Sequence, residues 1–182
     1  MSGKLRIGII GCGDFLRLRA ADLLSSRQVE VKLLYSPVNS ANAERYAEVF
    51  GAKAADSPEA IINDPEIDVV CVFVPPFVRK EYVLAAAKAG KQIVATKPLA
   101  ADLSDAREMT EAVEQAGVRC GVIYRRTNNP VIEAYKEIFS EGEFGKLALY
   151  KQDWLHHYPT WNRWATDPKK MVAHSWTLCC II

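Results

Sequence analysis

Hydrophobic positions along the chain follow two alternating rhythms. Short runs rich in β-branched residues, "LRIGII", "IDVVCVFV", "KQIVAT" and "VRCGVIY", are mostly continuous in their apolar character and read as strands covered on both faces. "VEVKLLYS" alternates and also reads as a strand. Between these runs lie segments with helical spacing. "DFLRLRAADLLSS" places Phe15, Leu18, Ala21 and Leu23 or Leu24 on one predicted stripe. "AERYAEVFG" stops at Gly51, "RKEYVLAAAKAG" at Gly90 and "DLSDAREMTEAVEQAG" at Gly117. Ser57 before Pro58 and Asp102 before Leu103 are helix-start signatures. "VIEAYKEIFSEG" is a further helix. Strand and helix alternate at least five times, which predicts an α/β protein with a doubly wound parallel sheet. Its strands would all end on one edge, where ligands bind.

The rhythm changes after about residue 145. "GKLALYKQDWLHHYP" reads as a longer strand with polar and aromatic residues, followed by the tryptophan-rich "TWNRWATDP". The expected organisation is a dinucleotide-binding domain over 1–124, the beginning of an incomplete α/β substrate and oligomerisation domain over 125–170, and a discordant tail over 171–182. His156 and His157 read as ordinary strand residues of that second domain.

Composition narrows the function classes. A net charge of +1 with 25% charged residues and no basic block points away from nucleic acid. No apolar run reaches the length of a membrane span, and the N-terminal "MSGKLRIGII" lacks the pattern of a secretory signal, so the expectation is a cytoplasmic protein. Five scattered cysteines with no CxxC pair predict reduced thiols and no metal site.

"GIIGCGDFL" carries the first candidate site. Gly11 and Gly13 follow a strand and open a helix, the context of a Rossmann-type dinucleotide turn. Gly11 would allow the tight turn, and Gly13 would let a pyrophosphate approach the backbone beside Asp14 and Phe15. The third fingerprint position is Leu16, which is expected to push the helix away from the strand. Ser36 stands at the end of the second strand, where an acid would hold the ribose of NAD. With no acid and no arginine there, the cofactor is NAD or NADP, with a slight lean to NADP. Pro75 and Pro76 are expected to keep an extended turn at the cofactor edge, and Arg79 and Lys80 open the next helix, either as a solvated start or against cofactor or substrate. Lys97 ends a strand on the same edge, with Pro98 locking the turn. A lysine there either lies on the surface or donates to a substrate oxygen during hydride transfer.

In this order, "GIIGCG", "IDVVCVFVPP", "AAAKAGKQIVATKPLA", "GVIYRRTNNP" and "GKLALYKQDW" resemble the glucose–fructose oxidoreductase / inositol dehydrogenase / MocA (Gfo/Idh/MocA) oxidoreductases from Leu5 to about Lys170. The resemblance implies a Rossmann domain followed by a mostly antiparallel α/β domain, a homo-oligomer, and oxidation or reduction of a sugar, cyclitol or related polyol with NAD or NADP. It implies that Lys97 is the lysine of the family's Glu-Lys-Pro segment, near the reacting carbon. Arg126 and Pro130 match its arginine–proline segment, with Arg126 a candidate for substrate contact. The chain departs from the pattern at four places. The acid before the lysine is Thr96, the Pro-Asn is Pro75-Pro76, the histidine after it is Arg79, and the ribose acid is Ser36.

The family carries Gly-Gly and then Asp-x-x-x-His after this point, whereas the chain reads "KKMVAHSWTLCCII". Reading the codons from the third base of Lys170, Met171/Val172 is forced to glycine and Trp176/Thr177 to aspartate, and Cys180/Ile181 gives His or Tyr four residues later. The expectation is therefore a frameshift near codon 170, with the family's catalytic histidine lost. Such a chain would bind dinucleotide weakly and turn over poorly or not at all. The alternative is a non-catalytic dinucleotide-binding protein or fragment.

Overall fold

The apolar runs become the parallel strands of one six-stranded sheet. A computed structural model describes residues 3–124, 130–142 and 145–146. In chain order the elements are β1 (Leu5–Ile10), α1 (Asp14–Ser25), β2 (Val29–Tyr35), α2 (Ser40–Phe50), β3 (Lys53–Ala54), α3 (Pro58–Ile62), β4 (Val69–Val72), a 3₁₀ turn (Pro76–Val78), α4 (Arg79–Lys88), β5 (Gln92–Thr96), α5 (Leu103–Gln115), β6 (Cys120–Ile123) and α6 (Pro130–Ser140). The sheet order is β3-β2-β1-β4-β5-β6, and every neighbouring pair is parallel. The chain thus leaves β1 in one direction toward β2 and β3, and returns to β1's other side with β4. The gap between the C-terminal ends of β1 and β4 is the topological switch point of a doubly wound sheet.

Side chains alternate across the sheet. Ile7, Ile9, Val69 and Cys71 pack with α1 and α2, while Ile10, Val70 and Val72 pack with α3, α4 and α5. Because both faces are covered, β4 is buried at all four positions, as its unbroken apolar run predicts. Asn39, Ser57 and Asp102 cap α2, α3 and α5 by accepting from the backbone N–H groups of Ala41, Ala60 and Asp105.

Two expectations are corrected. The packed stripe of α1 runs through Leu16, Ala20 and Leu23, with Phe15 at its edge, while Leu18 and Leu24 are more than half exposed. Leu16, at the third fingerprint position, is wholly buried among β1, β2 and α2 residues. Pro75 is extended, but Pro76 begins the 3₁₀ turn, so the two prolines do not form one extended segment. The two-residue β3, with both positions exposed, carries no periodicity that a sequence reading could find, and exists because it pairs with Leu33 and Leu34.

The chain divides into two units, Met1–Ile123 and Tyr124–Ile182. In the second, α6 is amphipathic, with Val131, Tyr135 and Phe139 along one stripe and a Lys136–Glu133 ion pair on its polar side. Of the expected strand over 145–159 only residues 145–146 are described, and Arg126, His156, His157 and the discordant tail over 171–182 lie outside the described residues.

Gly8 is the tightest point of the α3 side. A Cβ there would stand 2.2 Å from Ile61 Cγ2, so only glycine lets α3 close on β1. Gly8→Ala is expected to lower stability by about 2 kcal/mol in urea denaturation, and part of that cost should vanish in an Ile61→Ala background. Simple additivity would disprove the contact.

At the opposite edge Asp68 joins the starts of β1 and β4. Its carboxylate accepts from Arg6 Nε at 3.1 Å, Nη2 at 2.9 Å and the Arg6 backbone N–H at 2.8 Å. These bonds hold the Asp68 carboxyl at about 2, below its ordinary 3.8. A depressed carboxyl contributes stability above its unfolded value and loses it as pH falls toward the folded one. Melting temperature should therefore decline between about pH 4 and pH 2, with Asp68→Asn flattening that limb.

Candidate functional site

The site begins where β1 meets α1. Gly11 has φ +109°, and a Cβ on it would lie 2.7 Å from the Phe73 carbonyl carbon and oxygen. The residue must be glycine because the turn crosses closely over the end of β4. Its N–H donates to Tyr35 O at 2.8 Å, and the Phe73 N–H donates to Ile10 O at 2.7 Å. The β1 turn is thereby fastened to the ends of both β2 and β4.

Gly13 differs from Gly11. It is exposed, and a Cβ on it would meet nothing within 4 Å. It is the N-cap of α1, and no side chain caps that helix, in contrast to α2, α3 and α5. The N–H groups of the first turn, at Asp14 and Phe15, point with the helix dipole toward this open space. The Asp14 carboxylate is drawn back along the helix to Arg17 Nε at 3.3 Å. The Phe15 ring packs edge-on against Phe73 at 4.9 Å between centroids, which ties α1 to β4. An uncapped helix start, a backbone without Cβ and free space before it fit a pyrophosphate.

Ser36 follows β2 directly and is half-buried, and no carboxylate stands at that strand end. Pro75 and Pro76 follow β4, with Phe77 and Val78 partly exposed beyond them. Lys97 follows β5 and is exposed, and the Lys97–Pro98 peptide bond is cis. Gly11, Gly13, Asp14, Phe15, Ser36, Pro75, Pro76, Lys97 and Pro98 therefore all lie on the C-terminal edge of one parallel sheet, after β1, β2, β4 and β5. Arg126 lies outside the described residues. Among the described residues no group of His, Cys, Asp or Glu side chains could hold a metal ion.

Lys80 stands part-exposed in the first turn of α4, whereas Arg79 departs from a solvated helix start. Lys80 pairs with Asp105 at 2.6 Å and Glu108 at 3.1 Å, clamping α4 to α5. Arg79 turns into the core and is only 1% exposed. Its Nη1 donates to Thr96 O at 2.5 Å, to Pro98 O and to Leu99 O at 3.1 Å. Its Nη2 donates to Val74 O at 2.6 Å and Thr96 Oγ1 at 2.5 Å. Burial pushes the guanidinium down to about 10, which leaves it charged at neutral pH. The signal in the sequence was paired: residues 79 and 96 both depart from the family pattern, and the structure shows that they touch.

Cys12 and Cys71 are buried thiols. Burial pushes Cys12 and Cys71 up to about 12, and Cys12 Sγ lies 3.5 Å from Tyr35 O. Iodoacetamide at pH 8 is expected to leave both unmodified in the folded chain and to alkylate both in urea. Labelling of Cys12 under native conditions, read by mass spectrometry, would show that the turn opens.

Comparison with known proteins agrees with this geometry. The family described as an oxidoreductase family with an NAD-binding Rossmann fold, Gfo/Idh/MocA, matches residues 5–124. The chain is 32% identical over 176 residues to an uncharacterized oxidoreductase of Streptococcus pneumoniae serotype 4, covering 93% of this chain and 46% of that protein. It is 36% identical over 153 residues to an inositol 2-dehydrogenase of Paracoccus denitrificans, covering 80% and 44%. Among solved structures it resembles a 3-ketoreductase from Actinomadura kijaniata in complex with NADP, with a TM-score of 0.72, 26% identity and coverage of 80% of this chain and 46% of that one. The chain spans slightly less than half the length of these relatives.

Proposed function

The chain belongs to the Gfo/Idh/MocA oxidoreductase family, and from that premise we propose that it binds NAD(P) across the β1–β4 gap and serves hydride transfer to or from a sugar, cyclitol or related polyol. The observation that carries this reading is the uncapped start of α1 behind Gly13, at the switch point of the sheet. A bound dinucleotide supplies the nicotinamide that gives or accepts hydride. The residues around it supply the rest. The N–H groups of Asp14 and Phe15 receive the pyrophosphate, and Gly13 leaves it room. Lys97, at the end of β5, donates a hydrogen bond to the oxygen on the reacting carbon and so stabilises the charge that develops there. Ser36 leaves space for a 2′-phosphate where an acid would repel one, which supports NADP over NAD.

A second reading, a dinucleotide-binding protein without turnover, is favoured by Thr96 in place of the family's acid. One set of measurements separates the two. NADPH titrated into the chain, followed by its fluorescence, is expected to bind saturably and more tightly than NADH. Gly13→Val should weaken binding about 30-fold, as charge-assisted bonds to the pyrophosphate are lost. In assays with a panel of cyclitols and sugars, Lys97→Ala should lower any turnover about 100-fold or more. Saturable binding without turnover on any polyol supports the second reading, and no binding of either dinucleotide defeats both.

A further inference from the structure

Arginine is seldom fully buried unless a carboxylate faces it. Arg79 is fully buried, and every hydrogen bond it makes among the described residues goes to a neutral oxygen. Four of these are main-chain carbonyls, at the end of β4 and through the turn after β5. Parallel strands that splay apart toward a ligand edge leave their last carbonyls without ladder partners, and a buried carbonyl without a donor is costly. A planar guanidinium spreads five donors over three nitrogens in a fixed fork, so it serves more carbonyls, set further apart, than the three donors on the single nitrogen of an ammonium. The residues it holds, Thr96, Pro98 and Leu99, bracket Lys97.

We propose that Arg79 is a positioning residue for Lys97: from the core, its guanidinium clamps the Val74, Thr96, Pro98 and Leu99 carbonyls and so fixes the turn that presents Lys97 at the ligand edge. This rests on the reading of Lys97 as the group that meets cofactor and substrate. The bond from Nη2 to Thr96 Oγ1 makes the two departures from the family pattern one exchange: a guanidinium–hydroxyl pair stands where the family has a histidine and an acid. Arg79 does not itself reach the ligand, since it is sealed beneath the turn.

The test compares wild type, Arg79→Lys, Thr96→Val, Lys97→Ala and the Arg79→Lys/Lys97→Ala double variant. Hydrogen exchange of the Lys97, Leu99 and Ala100 amides should quicken about tenfold in Arg79→Lys, with the far-UV spectrum unchanged. NADPH binding should weaken about tenfold in Arg79→Lys, and by less than about twofold when the same change is made in Lys97→Ala. Equal losses in both backgrounds would show a merely structural role and overturn the proposal, as would unchanged exchange in the turn. Thr96→Val, nearly isosteric, removes one acceptor without removing the charge. It decides the matter if Arg79→Lys does not fold: exchange about threefold faster in the turn supports the clamp, and unchanged exchange overturns it. If wild type binds no dinucleotide, the functional reading falls separately. Acylation of Lys97 then decides, with a rise in Arg79→Lys supporting the clamp and an unchanged rate overturning it.

Discussion

Among the described residues one buried guanidinium, that of Arg79, ties the end of β4 to the turn after β5. Parallel strands running side by side end together, and each presents carbonyl oxygens where the ladder stops. The edge must stay open for a ligand, so helices cannot simply close over it. Gly11 and Arg79 meet the problem from opposite directions. Gly11 brings backbone so near Phe73 that its N–H can serve Tyr35 O while β1 still turns into α1. Arg79 reaches from the first residue of α4 beneath the edge and gathers oxygens from β4 and the β5 turn. Every candidate ligand-binding residue among the described ones lies on a turn that these two positions fasten or border.

The layered plan was legible because burial on both faces leaves an unmistakable trace, namely strands without a polar side. Helix ends were legible for an equally local reason: Ser57, Asp102 and Gly51 act on their own neighbours. Features made by distant residues were not legible. Gly8 looks like any glycine in a strand until Ile61 closes over it. The stripe of α1 was misplaced because leucines crowd that helix, and which of them face inward depends on the crossing angle with the sheet. Arg79 read as either a solvent-facing start of α4 or a contact with cofactor or substrate, since nothing in its local sequence shows that the carbonyls of residues near 97 wait beneath it.

The clamp also bears on what replacing an acid means at position 96. A carboxylate there would bring its own negative charge beneath the turn and need a partner. Thr96 brings only a hydroxyl, and the counterpart at 79 is a fixed cation neutralised by carbonyl dipoles. The two arrangements can hold the same turn with opposite charge beneath it. Loss of Arg79 alone would leave the Val74, Thr96, Pro98 and Leu99 carbonyls without their shared donor, which is the costly case. With Arg79 and Thr96 both in place, the turn that carries Lys97 is held although both residues depart from the family pattern.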